Sequence, residues 1–328
     1  MTLSELHETP ALIALDWGTS SLRAVALGRS GQVLASRRSE HGIMNLPPAA
    51  ADTDPGDLPA RFEQALQAIC GDWLHKHPGA PLLACGMVGS AQGWQEARYH
   101  PVPCAIGEVA QSLTQVKRPG GQTLHIVPGL IQHGELPNVM RGEETQIAGV
   151  LHDLESVQDA TDSLLIGLPG THCKWAWIEH GQVVRFETFM TGEVFAVLRQ
   201  HTILGRTMAS ATQRDERAFV RGLELTRPRP NAMGLLSDIF STRTLALTGR
   251  LPPESQADHL SGLLIGHEVA ALMPALKASG VAVVLCGESE LCLRYAAALE
   301  VHGHHSAQIR SGVVASGLWR IAQAARLV

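Results

Sequence analysis

The stretch LIALDWGTSSLRAVAL (residues 12–27) is an apolar run, a polar knot and a second apolar run. The knot holds one acid, one glycine and three consecutive hydroxyls: Asp16, Gly18, Thr19, Ser20 and Ser21. Two readings explain it. A β-hairpin turn uses these residues because Gly tolerates left-handed backbone and Asp, Ser and Thr bond nearby main chain. A phosphate-holding loop uses them because successive backbone N–H groups make a concave anion site, to which hydroxyls add donors. Asp16, an anion, would repel phosphate, but it suits a Mg²⁺ ion beside one, held directly or through water.

Working outward, strands are expected at 12–15, 22–27 and 33–36. The Pro- and Asp-rich connection 45–57 breaks regular structure. A helix is expected over 58–75, where Phe62, Leu66, Ile69 and Trp73 recur at spacings of three and four. PLLACGMVGS (81–90) reads as a strand running into a glycine-bearing loop, 93–121 as irregular, and TLHIVPGL (123–130) as a strand. GEETQIAGVLHDL (142–154) reads as a helix with acids in its first turn, where they complement the dipole. The opening pattern then returns about 150 residues on: DSLLIGLPGTHCKWAWIEHGQVVRFETF (162–189) is strand, Gly-Thr knot, strand, turn, strand. This internal duplication predicts two similar α/β halves with a cleft between them. Helices are expected at 193–200, 213–223, 233–245 and 257–271. VAVVLC (281–286) then runs through Gly287 into a helix, and a closing helix ends the chain.

With 328 residues, 45% apolar and 17% charged, the chain can bury a sizeable core and suggests two domains. Its net charge of −5 and lack of a basic stripe argue against a nucleic-acid partner. No apolar run of membrane-spanning length stands out, and MTLSELHETP lacks the apolar stretch of a secretory leader. Cys70, Cys85, Cys104, Cys173, Cys286 and Cys292 form no C-x-x-C pair. They read as reduced, mostly buried thiols of a cytoplasmic protein.

The chemistry-bearing candidates each have a bland alternative. Glu143 and Glu144 read as a general base for a hydroxyl, or as plain dipole complements. Arg23 and Arg141 could grip a carboxylate or phosphate with a bidentate fork, or form surface ion pairs. Lys174 could neutralise phosphate, or be a solvated strand lysine. Gly86, Gly89, Ser90, Gln92 and Trp94 suit a polyhydroxy acid, with Trp94 stacking on it, or make a turn and a core indole. His172 and Cys173 are neighbours on a strand and point to opposite faces, which argues against a nucleophile pair. His302, His304 and His305 lack a metal-ligand set. Thr191, Gly192 and Glu193 read as a helix N-cap with an acid in its first turn, or as substrate contacts on the opposite wall of the cleft.

The order of the two Gly-Thr knots and the Gly287 junction resembles the ATPase fold shared by actin, Hsp70 and sugar kinases. The resemblance implies an α/β protein of two ribonuclease-H-like domains flanking an ATP cleft, at 1–155 and 156–328, with the closing helix 313–326 packing back on the first. DWGTSSLR (16–23) resembles the first phosphate loop, GLPGTHCKW (167–175) the second, LCGESE (285–290) the adenosine junction, and RGEETQIAG (141–149) the crossing helix. At a finer level DWGTSSLRA, GMVGSAQGW, MRGEETQIAG, LPGTHCKW, MTGEVFAVLRQHTILG and SGLLIGHE together resemble the 2-dehydro-3-deoxygalactonokinase family.

That resemblance implies transfer of the ATP γ-phosphoryl group to the 6-hydroxyl of 2-dehydro-3-deoxy-D-galactonate, in galactonate breakdown. ATP and Mg²⁺ are the implied cofactors. Asp16 would hold the metal. Gly18, Thr19, Ser20, Gly170, Thr171, His172, Lys174 and Gly287 would surround the nucleotide. Glu144 or Glu143 would act on the acceptor hydroxyl, and Arg23, Gly89, Ser90, Gln92, Trp94 and Arg141 would bind the sugar acid. Alternatives are another 2-keto-3-deoxy sugar acid, an exopolyphosphatase-like hydrolase using Glu144 on water, or a nucleotide-dependent protein-binding switch. A monomer or homodimer without membrane partner is expected. One departure from the wider fold is Gly167, where many members carry a second aspartate.

Overall fold

The structure, a computed structural model, describes residues 8–49, 54, 56–119, 121–156, 162–230 and 232–328. Most of the expected leader-free N-terminus and residues 50–53 and 55 of the Pro- and Asp-rich connection lie outside the described residues. The chain forms two compact units. Unit 1 comprises Met1–Asp162, Ile178–Arg185 and Gly312–Val328; unit 2 comprises Ser163–Trp177 and Phe186–Ser311.

The elements, in chain order, are β1 (Leu12–Trp17), β2 (Leu22–Leu27), β3 (Val33–Ser39), α1 (Leu58–Lys76), β4 (Leu82–Gly86), β5 (His100–Pro101), β6 (Cys104–Ala105), α2 (Ile106–Gln111), β7 (Thr114–Lys117), β8 (Thr123–Ile126), β9 (Leu130–Gln132), β10 (Asn138–Met140) and α3 (Glu143–Ser156). There follow β11 (Ser163–Leu168), β12 (Cys173–Glu179), β13 (Gln182–Phe189), α4 (Thr191–His201), α5 (Glu216–Glu224), α6 (Leu235–Asp238), α7 (Ser241–Leu247), α8 (Gln256–Ser279), β14 (Ala282–Cys286), α9 (Ser289–Val301), β15 (Gln308–Arg310) and α10 (Val314–Ala324).

In unit 1 the sheet order is β3-β2-β1-β4-β8-β7, with β1 antiparallel to β2 and parallel to β4. The second sheet repeats that order as β13-β12-β11-β14-β15. A hairpin and a third strand on one side of the first strand, with parallel strands on the other, is the ribonuclease-H-like arrangement, and it occurs twice. The turn end of the β12–β13 hairpin counts with unit 1, where Gln182 and Val183 pair with Ala105 and Cys104 of β6.

The central strands are buried on both faces and so are largely apolar: β4 throughout, and β1 at every position but Asp16. In unit 1 the core centres on Trp17, Phe62 and Trp94, whose ring centroids lie 5.2 to 6.0 Å apart. α1 starts where the Asp57 carboxylate accepts the Ala60 N–H at 3.0 Å. α10 lies against α3 through two glycines. A Cβ on Gly149 would stand 2.0 Å from the Val313 carbonyl oxygen, and one on Gly317 would stand 2.0 Å from that of Thr145.

Two expectations need correction. The stretch 93–121 is not irregular, since it carries β5, β6, α2 and β7. The single helix expected over 233–245 is two, α6 and α7. One stretch, Pro253–Ser279, is long and apolar enough to cross a membrane, and most of it is buried inside the protein. As α8 it packs against α5, α9, α4 and α7 within unit 2, so its apolarity has a core to face.

Candidate functional site

In unit 1 the strand register brings Asp16 opposite Arg23 on β2 and beside Cys85 on β4. Asp16 is half-buried, and its carboxylate has no hydrogen-bond donor among the described residues. Burial raises its pKa, and the charges of Arg23 and Arg38 offset part of that rise. The knot after it is a tight turn. Gly18 N–H donates to the Ser21 carbonyl at 3.0 Å, and the carbonyls of Gly18 and Thr19 accept from Ile43 and Met44. A Cβ on Gly42 would sit 2.4 Å from the Thr19–Ser21 backbone, so the turn is braced from behind. Thr19, Ser20 and Arg23 remain exposed.

The start of α3 reaches the same place. Gly86 (φ +89°) ends β4 and Gly142 (φ +103°) precedes α3, and a Cβ on Gly142 would lie 3.4 Å from the Gly86 Cα. Both φ values lie in the region that residues with a Cβ rarely adopt, so glycine is required by conformation. Glu144 has no exposed surface, and its charge and that of Asp16 both act on the Cys85 thiol, which burial pushes well up. Glu144 Oε2 accepts the Gly142 N–H at 2.6 Å and Oε1 accepts the Thr145 hydroxyl at 3.0 Å. Burial, with the charge of Glu143 next, raises its pKa to about 8. Glu143 is half-buried and its Oε2 accepts the Arg141 N–H at 3.0 Å.

Arg141 carries unmet donors. Its Nη2 donates to the Ala97 carbonyl at 2.7 Å and its guanidinium lies 4.4 Å from the Tyr99 ring centroid. Its buried Nε and Nη1 have no partner among the described residues, and neither has the buried Ser90 hydroxyl. Gly89 leaves room for that guanidinium, since a Cβ there would lie 3.0 Å from Nη1. Gln92 is exposed. Trp94 is a core indole and does not offer itself for stacking on a sugar: it is 8% exposed, stacked on Phe62 and edge-on to Trp17.

Unit 2 carries the other knot. Gly170 is half-buried, and Thr171 and His172 are exposed. The Thr171 carbonyl accepts the Glu193 N–H at 3.0 Å, and His172 Nε2 bonds Glu193 Oε2. A Cβ on Gly192 would lie 2.4 Å from the Gly170 carbonyl oxygen, and one on Gly287 would lie 3.2 Å from that of Pro169. The knot is thus braced by the start of α4 and by the Gly287 junction. It borders a cavity of about 490 Å³ lined by Gly170, Thr191, Gly192, Ser261, Leu291 and Tyr295, among others. Cys173 is buried while His172 is exposed, so the two do face apart. Lys174 is not a solvated strand lysine, because its side chain is buried within the sheet. At Gly167 a Cβ would lie 2.7 Å from the Trp175 ring, which leaves no room for an aspartate.

Glu268 escaped the sequence reading. It lies within SGLLIGHE on the buried face of α8, which also holds Asp258, and is 4% exposed. An acid following the apolar run Leu263–Ile265 was the available signal.

A family model described as 2-keto-3-deoxy-galactonokinase matches residues 16–321. The 2-dehydro-3-deoxygalactonokinase of Escherichia coli (strain K12) is 35% identical over 296 residues, covering 90% of this chain and 91% of that protein. A Rhizobium meliloti (strain 1021) protein provisionally given the same name, DgoK1, is 37% identical, covering 88% and 89%. A Sinorhizobium meliloti crystal structure, also provisionally so named, superposes with a TM-score of 0.80 at 34% identity, covering 95% of this chain and 98% of that one.

Proposed function

Because the chain belongs to the 2-keto-3-deoxy-galactonokinase family, we propose that it transfers the γ-phosphoryl group of ATP to the 6-hydroxyl of 2-dehydro-3-deoxy-D-galactonate. The observation that carries the reading lies in unit 1. The carboxylate of Asp16, which accepts no hydrogen bond among the described residues, and the buried carboxyl of Glu144 both act on the Cys85 thiol, while Arg141 and Ser90 keep buried donors unmet. Buried polar groups without partners are costly, and a ligand satisfies them.

Asp16 has the chemistry of a Mg²⁺ residue: a lone carboxylate with no donor to satisfy it, the usual arrangement for an ion that keeps waters and takes phosphate oxygens. Bound there, the ion would neutralise charge on the phosphates. Thr19 and Ser20 in unit 1 and Thr171 in unit 2 each carry an exposed hydroxyl suited to a phosphate oxygen. Arg141, with Ser90, receives the substrate carboxylate, for which a guanidinium fork is suited. Glu144, whose pKa near 8 lies close to working pH, accepts the proton of the acceptor hydroxyl. Most of the acceleration then comes from positioning and charge neutralisation.

An ADP-release assay over a panel of 2-keto-3-deoxy sugar acids tests this. Turnover dependent on the galacto acid supports it. Phosphate release without any acceptor would replace it with a hydrolase, and turnover confined to a different sugar acid would move the substrate.

A further inference from the structure

Glu268 is buried among donors. The Trp175 indole donates to its Oε1 at 2.7 Å, the Tyr295 hydroxyl donates to its Oε2 at 2.8 Å, and the Thr191 hydroxyl bonds the same Oε2. These partners come from β12, α9 and the start of α4, so one carboxylate ties together three elements of unit 2. Two of the partners, Thr191 and Tyr295, line the 490 Å³ cavity beside the second knot. Burial raises the acid's pKa, and its hydrogen bonds to Cys173, Thr191, Trp175 and Tyr295 pull it back.

The Thr191 and Tyr295 hydroxyls both donate to this Oε2, and the indole N–H only donates. The hydroxyl hydrogens of Thr191 and Tyr295 therefore point inward at Glu268. What each hydroxyl has left for the cavity is lone pairs. We propose that Glu268 is a positioning residue for nucleotide binding, fixing the Thr191 hydroxyl as an acceptor for a hydrogen-bond donor of the bound nucleoside triphosphate. This rests on the kinase reading for the identity of the occupant. A glutamine at 268 satisfies Trp175 through its carbonyl, but its amide must donate to Thr191 and Tyr295. That reverses their hydroxyls and turns donors toward the ligand.

Calorimetric titration with a non-hydrolysable ATP analogue and Mg²⁺ tests this on the full chain. Glu268→Gln and Thr191→Val are each expected to weaken binding about tenfold. In turnover assays each should raise the KM for ATP about tenfold, leaving kcat and the sugar-acid KM within about threefold. Because Glu268 acts through Thr191, the double variant should bind no more weakly than Thr191→Val alone. Unchanged affinity in Glu268→Gln overturns the proposal, as do losses that multiply in the double variant. Should Glu268→Gln fail to fold, unchanged affinity in Thr191→Val overturns it equally, and a tenfold loss there supports it. A wild type that binds the analogue but phosphorylates no sugar acid sinks the kinase reading and leaves this comparison standing.

Discussion

Glu144 shows how one side chain couples stability to activity. Its carboxyl, fully buried and next to Glu143, has a pKa near 8 against 4.5 for a free glutamate. The folded state therefore binds this proton more tightly than the unfolded state. That stabilisation is complete below about pH 4.5 and is lost as pH rises through 8. At ~1.4 kcal/mol per pKa unit the burden reaches at most ~5 kcal/mol at pH 9. Glu144→Gln should accordingly be more resistant to urea than wild type at pH 9, with the gap closing toward pH 5; an equal gap at both pH values would contradict the assignment. The same substitution should lower kcat at least ~100-fold, while Glu143→Gln costs less than ~10-fold. Wild-type kcat should rise with pH up to about 8, and initial-rate profiles would show it. Asp16→Asn should also lose at least ~100-fold in turnover, and raising Mg²⁺ should restore little of it. Near-normal rates in Asp16→Asn would remove it from the metal site.

At the scale of elements, the start of α3 is held in place by α10. The two helices touch main chain to main chain at Gly149 and Gly317. A methyl group 2.0 Å from a carbonyl oxygen cannot be absorbed by a side-chain rotation, so the helices must separate. Gly317→Ala should cost at least ~2 kcal/mol in a urea titration. It should also reduce turnover, because α3 carries Glu143 and Glu144; a variant with wild-type stability and rate would show the crossing to be slack. The helices and hairpins with strong periodicity were legible from sequence, α1 and β1–β2 above all. The short strands β5 to β7 were not, because two to four residues carry no period and pair only through tertiary contacts. α6 and α7 were read as one helix because the pattern hides Asp238, a buried acid at the end of α6 bound to Arg229 and His267. The knots and the α3 acids were visible as motifs. The partnering of Glu268 was not, since Tyr295, Thr191 and Trp175 lie 27 to 93 positions away.

For the molecule as a whole, the ligands should leave separate footprints. Hydrogen exchange with an ATP analogue should slow amides around Gly170–Thr171 and Thr191–Glu193 in unit 2, as well as Gly18–Ser21. The sugar acid alone should slow amides near Gly89–Ala97 and Arg141–Thr145 in unit 1. A sugar-acid footprint confined to unit 2 would refute the assignment of Arg141 and Ser90. Either ligand at 100 times its Kd should add about 2.7 kcal/mol to stability.

The placement of α10 also orders events at the ribosome. This helix is translated after all of unit 2, yet it fills the groove along α3 in unit 1. The earlier-made unit must therefore wait, with an open groove on its apolar flank, while the later one is synthesised. During that interval the nascent chain is a client for any chaperone that reads exposed apolar helices.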